Sequence, residues 1–302
     1  MARSFRTAAL GLIAVTSTFA MVTGCAPQGA ATVTWSNAAT TFHNVKASNE
    51  WGNGDYDRYD EPYLMRVAFR VTTGVAGSAQ AWLVSDYPNI ICKTEDGTRP
   101  LTGTAVRGPK DCPISTRMGT VEFPNLQLPD VIQIAQGAPV EILGTFDVMY
   151  ERDQLFPGGP IDLWKSVANV LKVVLNDTLA QGALPDSPEA IAALIGDVFS
   201  QAIGVVGGVV GSIIGGIGGA PDEIVSIAPS IYLAVGGNFA GLLRNVLPSV
   251  IGLVNTAISS QPNSPFPNGL PIQIGVVSAG TSHTTFANDK MTYTVDYMGT
   301  VR

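Results

Sequence analysis

Apolar and polar residues alternate most cleanly in Tyr63-Leu64-Met65-Arg66-Val67-Ala68-Phe69-Arg70-Val71. Tyr63, Met65, Val67, Phe69 and Val71 share one face, and Arg66 and Arg70 fall on the other. A period of two predicts a half-buried strand. Shorter runs of β-branched and aromatic residues predict further strands over 32–36, 42–47, 81–85, 119–123 and 140–150. In the last of these Ile142, Gly144, Phe146 and Val148 share a face. Pro88, Pro124, Pro129 and Pro139 punctuate the pieces, as prolines do at strand ends.

The period changes at Ile161. Leu163, Trp164, Val167, Val170, Leu171, Val174 and Leu175 recur at three- and four-residue steps, with Asp162, Lys165, Asn169, Lys172 and Asn176 opposite them. This predicts an amphipathic helix over 161–181, ended by Gly182. Asp186-Ser187-Pro188-Glu189 opens a second helix, with a capping side chain, proline in the first turn and an acid at the positive end of the dipole. That helix runs into a stretch in which Gly207, Gly211, Gly215 and Gly219 are spaced four apart, as are Gly204, Gly208, Ser212 and Gly216. Such a double small-residue repeat lets helix backbones approach closely. Each glycine costs about 1 kcal/mol relative to alanine in an exposed helix, so packing or lipid has to compensate.

Past Pro221 the pattern is less regular. Ile231–Val235 reads as a buried strand, 239–259 as a helix kinked at Pro248, and the proline-rich 261–271 as a loop. Residues 272–278 and 291–301 return to β. The fold class expected is therefore α+β: an antiparallel β-sandwich from 32–156 and 270–302, with a helical, glycine-rich insertion, 157–269, before the C-terminal strands. A positional echo, Asp60-Glu61 before one strand and Asp222-Glu223 before a later run, carries meaning only if the two strands prove equivalent.

The N-terminus has a logic of its own. Arg3 and Arg6 precede an apolar run, Ala8 to Ala20, and no acid occurs before Glu50. A basic start, a short apolar region and small residues describe a secretory signal peptide rather than a spanning helix, which needs about 20 apolar residues. Val22-Thr23-Gly24-Cys25 resembles the lipobox of bacterial lipoprotein precursors. The resemblance implies cleavage before Cys25, lipidation of its sulfur and acylation of the new amino terminus. Residues 1–24 are then the signal and 25–31 a lipidated tether. The mature protein is expected on the outer face of the cell membrane, held there by the anchor. The alternative is an ordinary cleaved signal with a stray cysteine.

Composition narrows the function classes. Of 302 residues 46% are hydrophobic and 14% charged, against about 25% charged in ordinary soluble domains. A disordered chain is excluded, because there is ample apolar surface for a core. The net charge of −7 moves to −9 once Arg3 and Arg6 leave with the signal, which argues against a nucleic-acid partner. Residues 198–288 carry only three charged side chains, Asp222, Glu223 and Arg244. In an exported chain the remaining cysteines, Cys92 and Cys112, read as a disulfide.

Catalytic motifs are scarce. The chain has two histidines, and no G-x-S-x-G elbow, H-E-x-x-H, P-loop or G-x-G-x-x-G is present. Ser278, Ser282 and His283 are neighbours in sequence, which does not make a triad. Asn53-Gly54-Asp55-Tyr56-Asp57-Arg58-Tyr59-Asp60-Glu61 starts like a calcium loop, but Arg58 replaces its turn glycine and Leu64 its closing glutamate. Asp55, Asp57, Asp60 and Glu61 are the candidate ligands for calcium, the one cofactor weighed. A solvated acidic loop and an aromatic ligand-contacting loop are the alternatives. The Asp60-Glu61-Pro62-Tyr63 pattern, with its later helical insert and closing strand, is loosely similar to exported proteins of unknown function from high-GC Gram-positive bacteria. It implies no activity.

The function expected is a lipid-anchored, surface-exposed envelope lipoprotein that binds an envelope ligand or serves structurally, without catalysis. Two alternatives stand beside it. One is a membrane-active or oligomerising protein using 198–220, with Gly207, Gly211, Gly215 and Gly219 as a helix-packing seam. The other is a carboxylate-dependent hydrolase.

Overall fold

The computed structural model describes residues 31–47, 60–93, 111–152, 159–181, 222–259 and 270–302, with positions 190, 194 and 204. In chain order the elements are β1 (Ala31–Lys46), β2 (Pro62–Thr72), β3 (Gln80–Val84), β4 (Asp111–Pro113), α1 (Thr116–Gly119), β5 (Thr120–Leu128), α2 (Val131–Ala135), β6 (Glu141–Arg152), α3 (Gly159–Thr178), β7 (Asp222–Ala234), α4 (Gly237–Ser259), β8 (Gln273–Val276), β9 (Gly280–Ala287) and β10 (Thr292–Val301). They form two five-stranded sheets. In the first, β10 lies between β1 and β9, while the other edge of β1 pairs with β4 and β5. The second runs β3-β2-β6-β7-β8 and is antiparallel except for its last pair, β7 with β8.

The sequence pattern predicts two short strands, 32–36 and 42–47, where the structure has the single strand β1. Asn37-Ala38-Ala39-Thr40 between them is poor in strand formers. Pairing with β10 on one edge and β5 on the other holds it extended, with register shifts at Ala39/Thr41 and Val33/Trp35. The second shift faces Pro124-Asn125 of β5, where Asn125 has φ 57°. A proline without an N–H and a left-handed residue make a bulge on an outer strand.

A second departure is β7. The helical insertion assigned to 157–269 is interrupted by a strand that pairs with β6 along its length. Its last residues, 231–234, meet the strand expected over 231–235, while Pro229, with no N–H to donate, disguises the part before them. The structure accommodates that proline just before Ser230–Leu233, the stretch that β8 pairs. β2 and β7 flank β6 from opposite sides, with Pro62 and Glu223 both opposite Glu151. Asp60-Glu61 precede β2 whereas Asp222-Glu223 are the first residues of β7, and Pro62 rather than an acid aligns with Glu223 across β6, so the positional echo carries no structural meaning.

Both faces of β2 are buried, not one. Tyr63, Met65, Val67 and Phe69 are at most 1% exposed, in one cluster with Trp164, Val167, Leu171 and Leu175 of α3. The Trp164 indole N–H donates to Tyr150 Oη at 2.8 Å. Full burial of such side chains is worth about 1.5–3 kcal/mol each. The opposite face, Leu64, Arg66 and Ala68, is also completely buried. It is covered by residues of the first sheet, and this places a guanidinium in the interior.

Candidate functional site

Arg66 is the centre of that interior. Its Nε donates to Asp147 Oδ1 of β6 at 2.9 Å. Nη1 donates to Asn37 O at 3.0 Å and to Gly119 O, and Nη2 to Asn37 Oδ1 at 2.5 Å. The guanidinium carbon also lies 5.2 Å from the Tyr297 ring centroid. Burial opposes the Arg66 charge, but the Asp147 carboxylate outweighs it and raises the pKa. Burial, and then the Asp147 charge, push the Tyr297 phenol well up. Asp147 Oδ2 and Tyr297 Oη are both buried in this cluster. An ion pair removed from water carries a large desolvation penalty. Its position between two sheets marks the place where this interior departs from an apolar core.

A cavity of about 380 Å³ opens beside this cluster, bounded by β1, β7, β8, β9, β10 and α4. Asn37 belongs to both the cluster and the cavity wall. Trp35 and Tyr232 supply aromatic walls, their centroids 4.6 Å apart at 56°. Ile251, Ile272 and Ile274 supply apolar ones. Gln273 fastens the mouth: its Nε2 donates to His283 O at 2.8 Å and Thr284 Oγ1 at 2.6 Å, while Oε1 accepts from Ser282 Oγ at 3.3 Å. Burial, and then the charge of Asp147, raise the Tyr232 pKa. The size is that of a small-molecule pocket. Ser278 and Ser282 both line it. The Ser282 hydroxyl is directed at Gln273, and His283 takes part through its carbonyl.

The predicted site residues fall elsewhere. Cys92 and Cys112 form the disulfide, Cα atoms 6.4 Å apart. Cys112 lies on β4 of the first sheet, while Cys92 follows Ile91, whose N–H donates to Pro62 O of the second. Asp60 and Glu61 are 5% and 6% exposed. Asp60 Oδ2 accepts from Tyr293 Oη at 2.6 Å, and Glu61 pairs with Lys93 at 2.6 Å and with Arg152. Burial pushes the Glu61 carboxyl up, but those two cations outweigh it and hold it below the usual range. Both carboxylates therefore have partners among the described residues. Among the described residues, no group of three or more His, Cys, Asp and Glu is arranged to hold a metal. Asp55 and Asp57 lie outside the described residues, as do Cys25 and the seam Gly207, Gly211, Gly215 and Gly219. No described helix is long and apolar enough to cross a membrane.

Sequence reasoning missed a second polar constellation. His43 of β1 stands between two carboxylates, Nδ1 2.9 Å from Asp111 of β4 and Nε2 2.8 Å from Asp296 of β10. A proton on each nitrogen satisfies both contacts, and the hydrogen bonds to Asp296 and then Asp111 raise the pKa. Neither nitrogen is free to act as a base. The partners are 68 and 253 positions away along the chain, so no local motif could announce them. For Arg66 and Asn37 the sequence carried no distinguishing signal, because Arg70 shares the same face of β2 and only the fold buries Arg66. No family model, curated protein or solved structure matches the chain, so its fold and cavity stand on their own geometry.

Proposed function

We propose that this chain is an exported, lipid-anchored envelope protein whose two sheets pack as a β-sandwich and hold a small ligand in the cavity between them. The cavity beside Asn37 is the observation that carries the binding part of this reading. Its aromatic, amide and hydroxyl groups suit holding a molecule, whereas proton transfer needs an acid or base within reach. The sandwich reading draws on Arg66 bridging β2 to β1 and on the Trp35–Tyr232 contact.

The anchor reading draws on Val22-Thr23-Gly24-Cys25 and on where the chain enters the fold. Ala31 pairs with Leu128, three residues before Val131. Val131 and Ile132 of α2 are 45% and 63% exposed, and α2 contacts α4, where Leu242 is 51% exposed. Six residue steps from Cys25 span at most about 20 Å, which keeps this apolar corner near a bilayer that holds the lipid. Cys25→Ala tests the anchor. Detergent partitioning should send the wild type to the detergent phase and the variant to the aqueous phase. Equal recovery of both in water overturns the reading.

A further inference from the structure

The chemistry of the cavity is set by two amides whose orientation their neighbours dictate. Asn37 is 4% exposed. Arg66 Nη2 can only donate, so the atom 2.5 Å from it must be the Asn37 oxygen. What Asn37 offers to the cavity is therefore its NH2, and no hydrogen bond occupies that group among the described residues. Gln273 is the opposite case, because its donors are spent on His283 and Thr284 and its oxygen on Ser282. It frames the mouth, while Asn37 presents an unpartnered donor inside.

Charge complementarity argues in the same direction. No Asp, Glu, Lys, Arg or His is among the described residues lining the cavity. Arg66, the cation that Asn37 contacts, is itself paired with Asp147. An ionised ligand would give up part of its hydration in this half-open cavity without meeting a counter-charge among the described residues, a loss that one hydrogen bond does not return. Trp35, 1% exposed, backs the cavity, and the half-buried Tyr232 ring with Ile251, Ile272 and Ile274 supplies its apolar lining. We propose that the cavity takes an uncharged molecule with a flat apolar body and a carbonyl-type oxygen that accepts from the Asn37 NH2. This deepens the binding reading above and rests on it.

Three isosteric probes test the assignment by calorimetric titration of the full chain: naphthalene-2-carboxamide, 2-naphthoate and 2-naphthylmethylammonium. The neutral carboxamide should bind, and bind tighter than either ion. Asn37→Asp keeps an oxygen for Arg66 and removes the NH2, so carboxamide affinity should fall about tenfold, as for one lost ligand hydrogen bond with an added repulsion. Thr281→Trp places bulk at the exposed rim and should abolish binding while leaving the melting temperature near that of wild type. Tighter binding of either ion, or an unchanged affinity in Asn37→Asp, overturns the ligand class but leaves the binding reading standing. Failure of all three probes to bind, or full binding by Thr281→Trp, overturns both.

Discussion

His43 shows how a residue with no distinctive sequence context becomes a fastening. Its imidazolium joins β1 to β4 and β10 through Asp111 and Asp296. The folded pKa is raised above the ordinary 6.5, so the stabilisation is fully present below about pH 6.5 and is lost as pH rises through the folded value. Denaturant titrations of wild type and His43→Gln should therefore differ more at pH 5.5 than at pH 9. A gap independent of pH would contradict the assignment. Arg66 lies deeper and the stakes are larger. Removing one partner of a buried ion pair costs about 3–5 kcal/mol, whereas replacing both by apolar residues costs far less. Arg66→Met should lower stability in that range, and adding Asp147→Leu should recover part of the loss. Additive losses in the double-mutant cycle would show that the pair is not energetically coupled.

Among the described elements, β6 is paired on both edges, with β2 over Glu141–Glu151 and with β7 over Glu141–Arg152. Gly144 lies opposite Phe69 and Ile231. A Cβ there would fall 1.9 Å from Ser230 O and 2.7 Å from Phe69 Cζ. The carbonyl belongs to a paired strand and cannot move without disturbing the ladder. Gly144→Ala should therefore destabilise by about 3 kcal/mol, the upper part of the range for overpacking. A melting temperature equal to wild type would mean the strand shifts freely. Gly144 was legible as a strand position, since it falls on the face shared by Ile142, Phe146 and Val148. Its reason for being glycine was not, because Ser230 is brought there by β7.

At the scale of the molecule, the disulfide links the segment after β3 to β4 and so ties one sheet to the other. Closing a loop of this length removes about 3 kcal/mol of unfolded-state entropy. Cys92→Ser with Cys112→Ser should lose roughly that much, and alkylation of the unreduced wild type should modify neither residue. Finding both modified would contradict the bond.

The sequence by itself determined most of the strands, the helix after Gly159 and the cysteine pairing. These follow from local period, punctuation and composition, which neighbours along the chain can report. Tertiary structure decided which faces are covered. Arg66 and Arg70 look alike in the alternation of β2, yet Arg66 is 0% exposed while the Arg70 side chain is 20% exposed. Arg66 meets Asn37 of the central strand β1, whereas Arg70 reaches Pro124 and Asn125 at the bulge of the outer strand β5. Tertiary structure likewise decided that Asp60 and Glu61 meet Tyr293, Arg152 and Lys93, and that Pro229 sits within a paired strand. Hydrophobic period is a property of a segment, whereas hydrogen-bond satisfaction and charge pairing belong to groups that only folding brings together. The cavity is of the second kind: its walls come from Trp35 at one end of the described chain and Gly299 at the other.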